Sequence, residues 1–244
     1  AITVGTSAAM RMITDDTREP ESSAASIPSR IWNYRLDREH RVVGGALSNA
    51  GNVTGWLAEH LADGEFEGLS ERAAEIAPDG HGLTILPFLA GERSPSWNDT
   101  ATGTFSGLRL STSPAEIFRA TLEATAYRIA TIYDDLKGLV DANHEIHING
   151  AAALGSPMWV QIITDTLGHR VEAVDADAEA SARGAALCAL ETLGVRPDLR
   201  DASGSIARFY APNPNHHAVY ADARRRQDRL EAAISSFEVD IFPE

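Results

Sequence analysis

Hydrophobic and polar positions follow two different periods along the chain. Over the first fifty residues the alternation has a period of two and is interrupted by turn residues, which predicts short strands at residues 2–4, 10–14, 31–36 and 41–43. The polar stretch from Asp15 to Ser29, rich in Ser, Glu and Pro, predicts an exposed loop or hairpin tip among these strands. The amino-terminal part of the chain is therefore expected to be rich in β-structure.

Apolar residues recur at helical spacing in the next segment. Residues 49–64 predict a short amphipathic helix introduced by Asn49 and Asn52 and ended by Gly64. Residues 85–89 then predict a buried strand, followed by a loop rich in Gly, Pro, Ser and Asn over residues 91–107.

The clearest helix signal begins at Ser113 and Pro114. Serine is a favourable N-cap, proline suits the first helical position, and Glu116 lies in the positive field of the helix N-terminus. The apolar pattern predicts that this helix continues to Gly138. Further elements are predicted as a strand at residues 145–148, a helix at 156–167, a strand at 170–174, and helices at 180–193 and 216–236.

This order of elements predicts α/β architecture. Strands and helices alternate through the middle of the chain, as they do where parallel strands are joined by crossover helices. The sequence contains no internal repeat, coiled-coil heptad, low-complexity tract or evident linker. One large domain is therefore expected over residues 1–244.

Composition narrows the function classes. With 21 Lys plus Arg against 35 Asp plus Glu, the formal net charge is −14, which argues against a nucleic-acid partner because phosphate backbones require a basic face. The single Cys188 excludes an internal disulfide framework and a cysteine-built zinc site. No apolar run approaches the ~18 to 20 residues that span a bilayer. A cytoplasmic protein without a membrane partner is expected.

The first residues carry a further expectation. Residues 1–4 are already strand-like and run directly into Gly5, with no initiating Met or polar leader before them. This beginning is typical of a cut made inside a larger protein. Part of the active site would then be absent from the chain.

Three loops of small residues are the candidate ligand sites. The first, Gly5-Thr6-Ser7, can present amides and hydroxyls to phosphate oxygens, although spacing alone favours a plain hairpin turn. The second, Asn49 to Asn52, surrounds Gly51 at a helix start and equally fits an N-cap. The third, Asn149 to Pro157, joins a strand to a helix as nucleotide-binding loops do, but matches neither the Walker pattern nor the dinucleotide fingerprint.

In this order, these motifs resemble the C-terminal domain of the FGGY carbohydrate kinases. The matching residues extend from Thr3 to about Leu193. They are Thr3-Val4-Gly5-Thr6-Ser7, Gly45 to Asn52 with Trp56-Leu57, Gly91-Glu92-Arg93-Ser94-Pro95, Gly150-Ala151-Ala152-Ala153 with Ser156-Pro157-Met158-Trp159, and Ala180 to Ala186. Within the family, Gly-Glu-Arg-Ser-Pro followed by Trp97 is most similar to the gluconate kinases, with the xylulose kinases next.

The resemblance implies an actin-like ATPase (ribonuclease H-like) domain, an α/β fold with a mixed sheet flanked by helices. The chain would be the nucleotide-binding half of a two-domain kinase that uses ATP and Mg²⁺. The implied nucleotide contacts are Gly5, Thr6 and Ser7 at the distal phosphates, Gly51 nearby, and Gly150, Ala151 and Gly155 at the adenosine. The resemblance assigns the general base, the sugar or sugar-acid contacts and most magnesium ligands to the segment before Ala1. Oligomeric state stays open, a homodimer included.

The implied reaction is attack of a deprotonated sugar hydroxyl on the γ-phosphoryl of ATP, with closure of two domains excluding water. The isolated chain is expected to have no sugar kinase activity and weak nucleotide affinity. Two departures from the family pattern bear on this. Ala151 stands where the family has a second glycine. In the later loop, Asn98 stands where the family usually has an acidic residue, and Ala101-Thr102-Gly103 stands where it has Ala-Arg-Gly. The second departure leaves substrates other than gluconate open.

Other chemical residues have a plainer interpretation. Glu92 and Arg93 are expected to brace their loop, and Asp165 is expected to make a capping or inter-element contact. Core packing is expected for Trp56 and Trp159. Surface or core positions are expected for His144, His147, His216 and His217, because the sequence places no carboxylates at ligand spacing around them. A solvated helix face is expected for Arg224, Arg225 and Arg226.

Two function classes follow. The first is an ATP-dependent sugar or sugar-acid kinase, of which this chain is the nucleotide-binding domain. The second is a non-catalytic module that keeps the actin-like fold for nucleotide sensing or for interaction, as from a degenerate or truncated kinase gene. A different enzyme with its whole site in this chain is disfavoured, because no nucleophile with a paired base, metal ligand set or general-acid carboxylate pair is evident.

Overall fold

A computed structural model describes residues 1–15, 27–61, 66–174, 180–195 and 206–241. Seven strands of these residues form one mixed sheet in the order β3-β4-β2-β1-β7-β8-β9, and β5 pairs with β6 separately. The strands are β1 (Ile2–Val4), β2 (Ala8–Asp15), β3 (Trp32–Arg35), β4 (His40–Leu47), β5 (Thr84–Leu86), β6 (Thr104–Ser106), β7 (Ile146–Asn149), β8 (Val171–Val174) and β9 (Ile206–Tyr210). The helices are α1 (Gly51–Leu61), α2 (Phe66–Ala74), α3 (Pro114–Leu136), α4 (Ala151–Leu154), α5 (Pro157–Leu167), α6 (Ala180–Thr192) and α7 (Pro214–Ile241).

The predicted α/β architecture is confirmed. The amino-terminal strands β1 to β4 pair antiparallel, whereas β1, β7 and β8 run parallel. The connection from β7 to β8 passes through α4 and α5, as expected for a crossover. The sheet is therefore mixed, and its parallel part lies in the centre.

Several boundaries differ from the sequence prediction. β4 extends to Leu47, beyond the predicted end at residue 43, because Gly44 and Gly45 continue the ladder opposite Arg11 and Met10. β5 stops at Leu86, before Pro87, which has no amide hydrogen for a ladder. Most of the predicted Asp15 to Ser29 loop lies outside the described residues.

Four elements were absent from the prediction: α2, α4, β6 and β9. α4 is a single four-residue turn inside a loop of small residues, and β6 is three residues long. β9 is an edge strand whose first four residues are exposed, so no clean hydrophobic alternation marks it. Pairing with β8 is what defines it as a strand.

α3 is the central helix of the core. Its predicted cap is confirmed, since Ser113 Oγ accepts from the Glu116 amide and Glu116 Oε2 accepts from the Ser113 amide at 2.7 Å. Residues 118–133 are all buried, so the helix is enclosed on every side there. Charged side chains on this segment must therefore find partners inside the protein.

The first interior charge cluster joins α3 to α7 and to the turn before β5. Glu123 accepts from Arg119 Nε at 2.6 Å and from Tyr220 Oη at 3.2 Å, and it lies 2.9 Å from His81 Nε2. Burial acts to raise the pKa of Glu123, but His81 and Arg119 outweigh it and hold the pKa below its usual value. The carboxylate is therefore ionised and paired.

The second cluster joins α3 to a loop and to α7. Arg128 donates to both oxygens of Glu92, at 2.7 and 2.8 Å, and to Glu231 at 2.6 Å. Glu92 is 3% exposed, and burial raises its pKa even though Arg128 acts to lower it. Such a bidentate pair is geometrically favourable, but each partner depends on the other.

No helix of the described residues is long and apolar enough to cross a membrane.

We predict that Arg128→Met lowers the free energy of unfolding by about 3 to 5 kcal/mol, because it leaves Glu92 buried without its cation. Arg225→Met is the matched control, since Arg225 lies on α7 with its side chain 68% exposed and pairs only at the surface with Asp222. Its effect should stay within about 0.5 kcal/mol. Urea unfolding of both variants measures the difference, and equal losses would contradict the interior role of Arg128.

Candidate functional site

Three loops of small residues meet at one end of the central sheet. β1 and β7 are adjacent and parallel, so their carboxyl ends lie at the same edge. The loop after β1 contains Gly5-Thr6-Ser7, and the loop after β7 begins with Gly150. α1 begins at Gly51 against the first of these loops.

Backbone hydrogen bonds join the first loop to α1. Gly5 O accepts from the Gly51 amide at 2.9 Å, and Thr6 O accepts from the Asn52 amide at 3.0 Å. The first loop is also the hairpin turn between β1 and β2, as its spacing indicated. A hairpin turn and a phosphate-binding turn are therefore compatible interpretations of these residues.

Glycine is required at two positions of this junction. A Cβ on Gly51 would lie 2.5 Å from Gly5 O and 3.0 Å from the Cβ of Ala152. Gly150 has φ +100°, and a Cβ there would lie 2.3 Å from Val4 O. The start of α1 thus contacts the first loop through backbone, and the start of the third loop packs on the last residue of β1, at distances that leave no room for a side chain.

The tip of the first turn keeps its donors available. Thr6 and Ser7 are exposed, and in the part of the chain that the structure describes no hydrogen bond uses their amides or hydroxyls. A Cβ added to Gly5 would meet nothing within 4 Å. The turn therefore presents uncharged hydrogen-bond donors beside open space, an arrangement suited to an anion.

The third loop follows β7 at this carboxyl end of the sheet. Ala151 begins α4, Gly155 ends it with its amide bonded to Ala151 O at 3.0 Å, and both residues are exposed. Ser156 then caps α5 by accepting from the Trp159 amide. Asn149, the last residue of β7, has a buried Oδ1 without a hydrogen-bond partner among the described residues. The sequence analysis included Asn149 only as the first residue of the third loop and gave its side chain no role.

The loop around Glu92 braces the start of α1. Asn49 Nδ2 donates to Gly91 O at 2.6 Å, and Asn49 Oδ1 accepts from the Ala90 amide at 3.0 Å. Arg93 donates to Leu47 O at 2.7 Å. The bracing role expected for Glu92 and Arg93 is confirmed by these contacts and by the Arg128 pair.

Asp165 and Trp159 also lie as expected. Asp165 is buried and accepts from the Asn213 amide at 2.8 Å, with His216 Nδ1 at 2.9 Å, so it joins α5 to the start of α7. Trp159 is buried and donates to Leu122 O. The core packing expected for Trp56 is wrong: it is 41% exposed and stacks on His60, because the helix turns that face to the surface.

Two further expectations need correction. Arg224 pairs with Asp134 on α3 at 2.5 Å and Arg226 pairs with Asp79 at 2.5 Å, so only Arg225 of this run lies on a solvated face. His147 has two carboxylates nearby, contrary to the expectation of none at ligand spacing. Both errors concern partners that are distant in sequence and close only after folding.

Comparison with known proteins places the chain among carbohydrate kinases. A family model described as "FGGY family of carbohydrate kinases, C-terminal domain" matches residues 1–192. The chain is 31% identical over 226 residues to a gluconokinase of Bacillus subtilis (strain 168), covering 88% of this chain and 42% of that protein. It is 27% identical over 198 residues to a xylulose kinase of Staphylococcus epidermidis, covering 78% and 38%.

Solved structures agree on the fold. The crystal structure of gluconate kinase from Lactobacillus acidophilus matches 96% of this chain with a TM-score of 0.83 at 24% identity, over 46% of its own length. The chain thus spans less than half the length of these relatives. The expected actin-like fold is confirmed, because these neighbours have it.

We predict that Gly51→Ala destabilises the protein by about 1 to 3 kcal/mol, since its Cβ would press on Gly5 O and Ala152. Gly55→Ala is the matched control on the same helix, where a Cβ meets nothing within 4 Å and the change should stabilise by about 0.5 to 1 kcal/mol. Denaturant midpoints of the two variants test this. Similar midpoints would show that the junction of α1 with the first turn is loose.

Proposed function

The chain belongs to the FGGY family of carbohydrate kinases, and we propose that it supplies the nucleotide-binding half of an enzyme that phosphorylates a sugar or sugar acid with ATP. Residues 1–244 form the carboxy-terminal domain in this proposal, and an amino-terminal domain binds the sugar. The relatives support the division, since the chain covers 42% of the gluconokinase and 38% of the xylulose kinase.

The observation that carries the proposal is the meeting of the three loops. Gly51 packs against Gly5 of the turn after β1, and Gly150 packs against Val4 at the end of β1, so the backbones of these segments lie in close contact beside the turn. The unbonded donors of Thr6 and Ser7 lie at its tip. A polyphosphate needs close backbone approach and several donors, and this edge provides both.

We assign the residues of the chain to parts of the nucleotide. Gly5, Thr6 and Ser7 hold the distal phosphates, Gly51 keeps α1 close to them, and Gly150, Ala151 and Gly155 flank the adenosine. When bound, ATP supplies the phosphoryl group that is transferred. The chain binds and orients it, whereas the general base and most magnesium ligands belong to the amino-terminal domain.

A sugar acid such as gluconate is the favoured substrate class. Support comes from the motif Gly91-Glu92-Arg93-Ser94-Pro95 with Trp97, which is most similar to the gluconate kinases. Two gluconokinases are 31% and 32% identical to this chain, whereas a glycerol kinase is also 31% identical, so the motif and not the identity favours a sugar acid. A cytoplasmic enzyme is proposed with it, because ATP and sugar acids are cytoplasmic metabolites and the chain has a single cysteine.

We predict that the 244-residue chain alone does not transfer phosphate from ATP to gluconate. In the proposed division, the carboxylate that takes the proton from the attacking hydroxyl belongs to the amino-terminal domain. A coupled ADP-release assay with gluconate, and with xylulose as the second acceptor, measures this. Joining the chain to the amino-terminal domain of an FGGY gluconokinase should restore turnover. Substrate-dependent turnover by the chain alone would contradict the proposal that the catalytic site needs both domains.

We predict that Gly5→Ala weakens Mg-ADP binding by about tenfold or more without lowering stability. The added methyl group meets nothing in the protein but occupies the space assigned to phosphate, and tenfold corresponds to ~1.4 kcal/mol. Calorimetry on the joined two-domain protein measures the affinity, with Gly55→Ala as the control that should bind as the parent does. Absence of Mg-ADP binding by the parent itself would favour a non-catalytic module.

A further inference from the structure

A second group of side chains that could bind a ligand, one histidine and two glutamates, lies where β7 runs beside β8. Alternation along β7 turns Ile146 and Ile148 into the core and His147 to the opposite face, and Glu145 directly precedes the strand. His147 is the register partner of Glu172 on the parallel strand β8. The paired strands therefore hold the imidazole of His147 beside the carboxylate of Glu172, and the carboxylate of Glu145 reaches the same imidazole from the residue before β7.

The distances within this group match the ligands of a single ion. His147 Nε2 lies 3.3 Å from Glu145 Oε2 and 3.4 Å from Glu172 Oε2, and the three atoms all lie within 4.8 Å of one another. Ligands about 2.0 to 2.1 Å from a tetrahedral Zn²⁺ are separated from each other by about 3.3 to 3.4 Å. The two measured separations fall in that range.

The ligand atoms are available. His147 Nε2 is buried and has no hydrogen-bond partner among the described residues, although two carboxylate oxygens are near it. Arg170 contacts the other oxygen of Glu172, Oε1, at 3.1 Å and leaves Oε2 facing the imidazole. Arg170 in turn lies over the ring of Phe209, which fixes its position. Such an outer contact orients a ligand carboxylate.

Another carboxylate and histidine cluster of the fold shows the contrast. Around Glu123, His81 accepts from the Leu83 amide through Nδ1 and meets the carboxylate through Nε2, so both ring nitrogens are engaged. Arg119 already neutralises Glu123. That cluster is an internal ion-pair network, whereas His147 has an unbonded nitrogen.

We propose that Glu145, His147 and Glu172 form a Zn²⁺ site, with water completing the coordination. One imidazole and two carboxylates suit zinc better than Mg²⁺, which prefers six oxygen ligands in octahedral geometry. The ion would join β7 to β8 directly before β7 enters the Gly150 turn. It would thereby stabilise the strand pair that carries the third loop of the candidate site.

The test is titration of the metal-free 244-residue chain with Zn²⁺ at pH 7.5. We expect one tightly bound equivalent by calorimetry and, at ~100 times the dissociation constant, a rise of roughly 5 to 10 °C in the unfolding midpoint. Co²⁺ in place of Zn²⁺ should give the intense visible absorption of a tetrahedral site. Mg²⁺ at the same concentration should give no comparable shift.

Variants separate this site from binding elsewhere on the chain. His147→Gln should lower Zn²⁺ affinity at least tenfold, and so should Glu145→Gln, whose position is 71% exposed and tolerant of substitution. His60→Gln removes an exposed histidine on α1 and should bind as the parent does. Unchanged affinity in both His147→Gln and Glu145→Gln, an equal shift with Mg²⁺, or the weak spectrum of octahedral Co²⁺ would overturn the proposal.

Discussion

The enclosure of α3 is the constraint on which the rest of the structure depends. A helix buried over residues 118–133 cannot leave Arg119, Glu123 or Arg128 unpaired, because an isolated charge in the interior costs several kcal/mol. Each is therefore met by a partner on another element, on α7 and in the turn before β5 for Arg119 and Glu123. The buried charges are costly unless they are paired, and their pairs fix the positions of α7 and of the turn before β5 against α3.

The pair of Arg128 and Glu92 extends this constraint to the candidate site. Glu92 holds the loop from which Gly91 O accepts a hydrogen bond from Asn49, two residues before Gly51. Gly51 in turn bonds the turn after β1. A continuous series of contacts therefore runs from the buried helix to the exposed donors of Thr6. Rigid placement of those donors is what an anion site requires, since mobile donors would lose entropy on binding.

Local signals in the sequence were sufficient for some of these features. Ser113, Pro114 and Glu116 specify the start of α3 by themselves. The glycine loops that the sequence marks as candidate ligand sites lie together in the structure, and their contact with a nucleotide stays a prediction. Close approach of backbone imposes glycine, and that requirement is visible in a sequence. The α/β architecture followed from the alternation of predicted strands and helices, whereas the mixed sheet was implied by the family resemblance.

Features that depend on distant partners were not predictable in this way. Arg224 and Arg226 resemble any surface run until folding brings α7 against α3 and β5. Glu172 is 25 residues from His147 and becomes its neighbour only through the parallel register of β7 and β8. Trp56 has the spacing of a core residue, but nothing in the pattern specifies how far the helix is rotated. Each case is decided by tertiary packing and not by local preference.

The net charge of −14 sets the last condition on how the proposed nucleotide is held. Arg93, Arg119 and Arg128 are all engaged, the first by a backbone carbonyl and the others by carboxylates. Phosphate oxygens at the turn after β1 would meet the uncharged donors of Thr6 and Ser7, which bind an anion less strongly than cations do. In the proposed enzyme, Mg²⁺ and basic side chains of the second domain would add the cations that offset the repulsion between phosphate and an acidic protein. The weak affinity expected of this half and its proposed dependence on the other half would then have a single electrostatic cause.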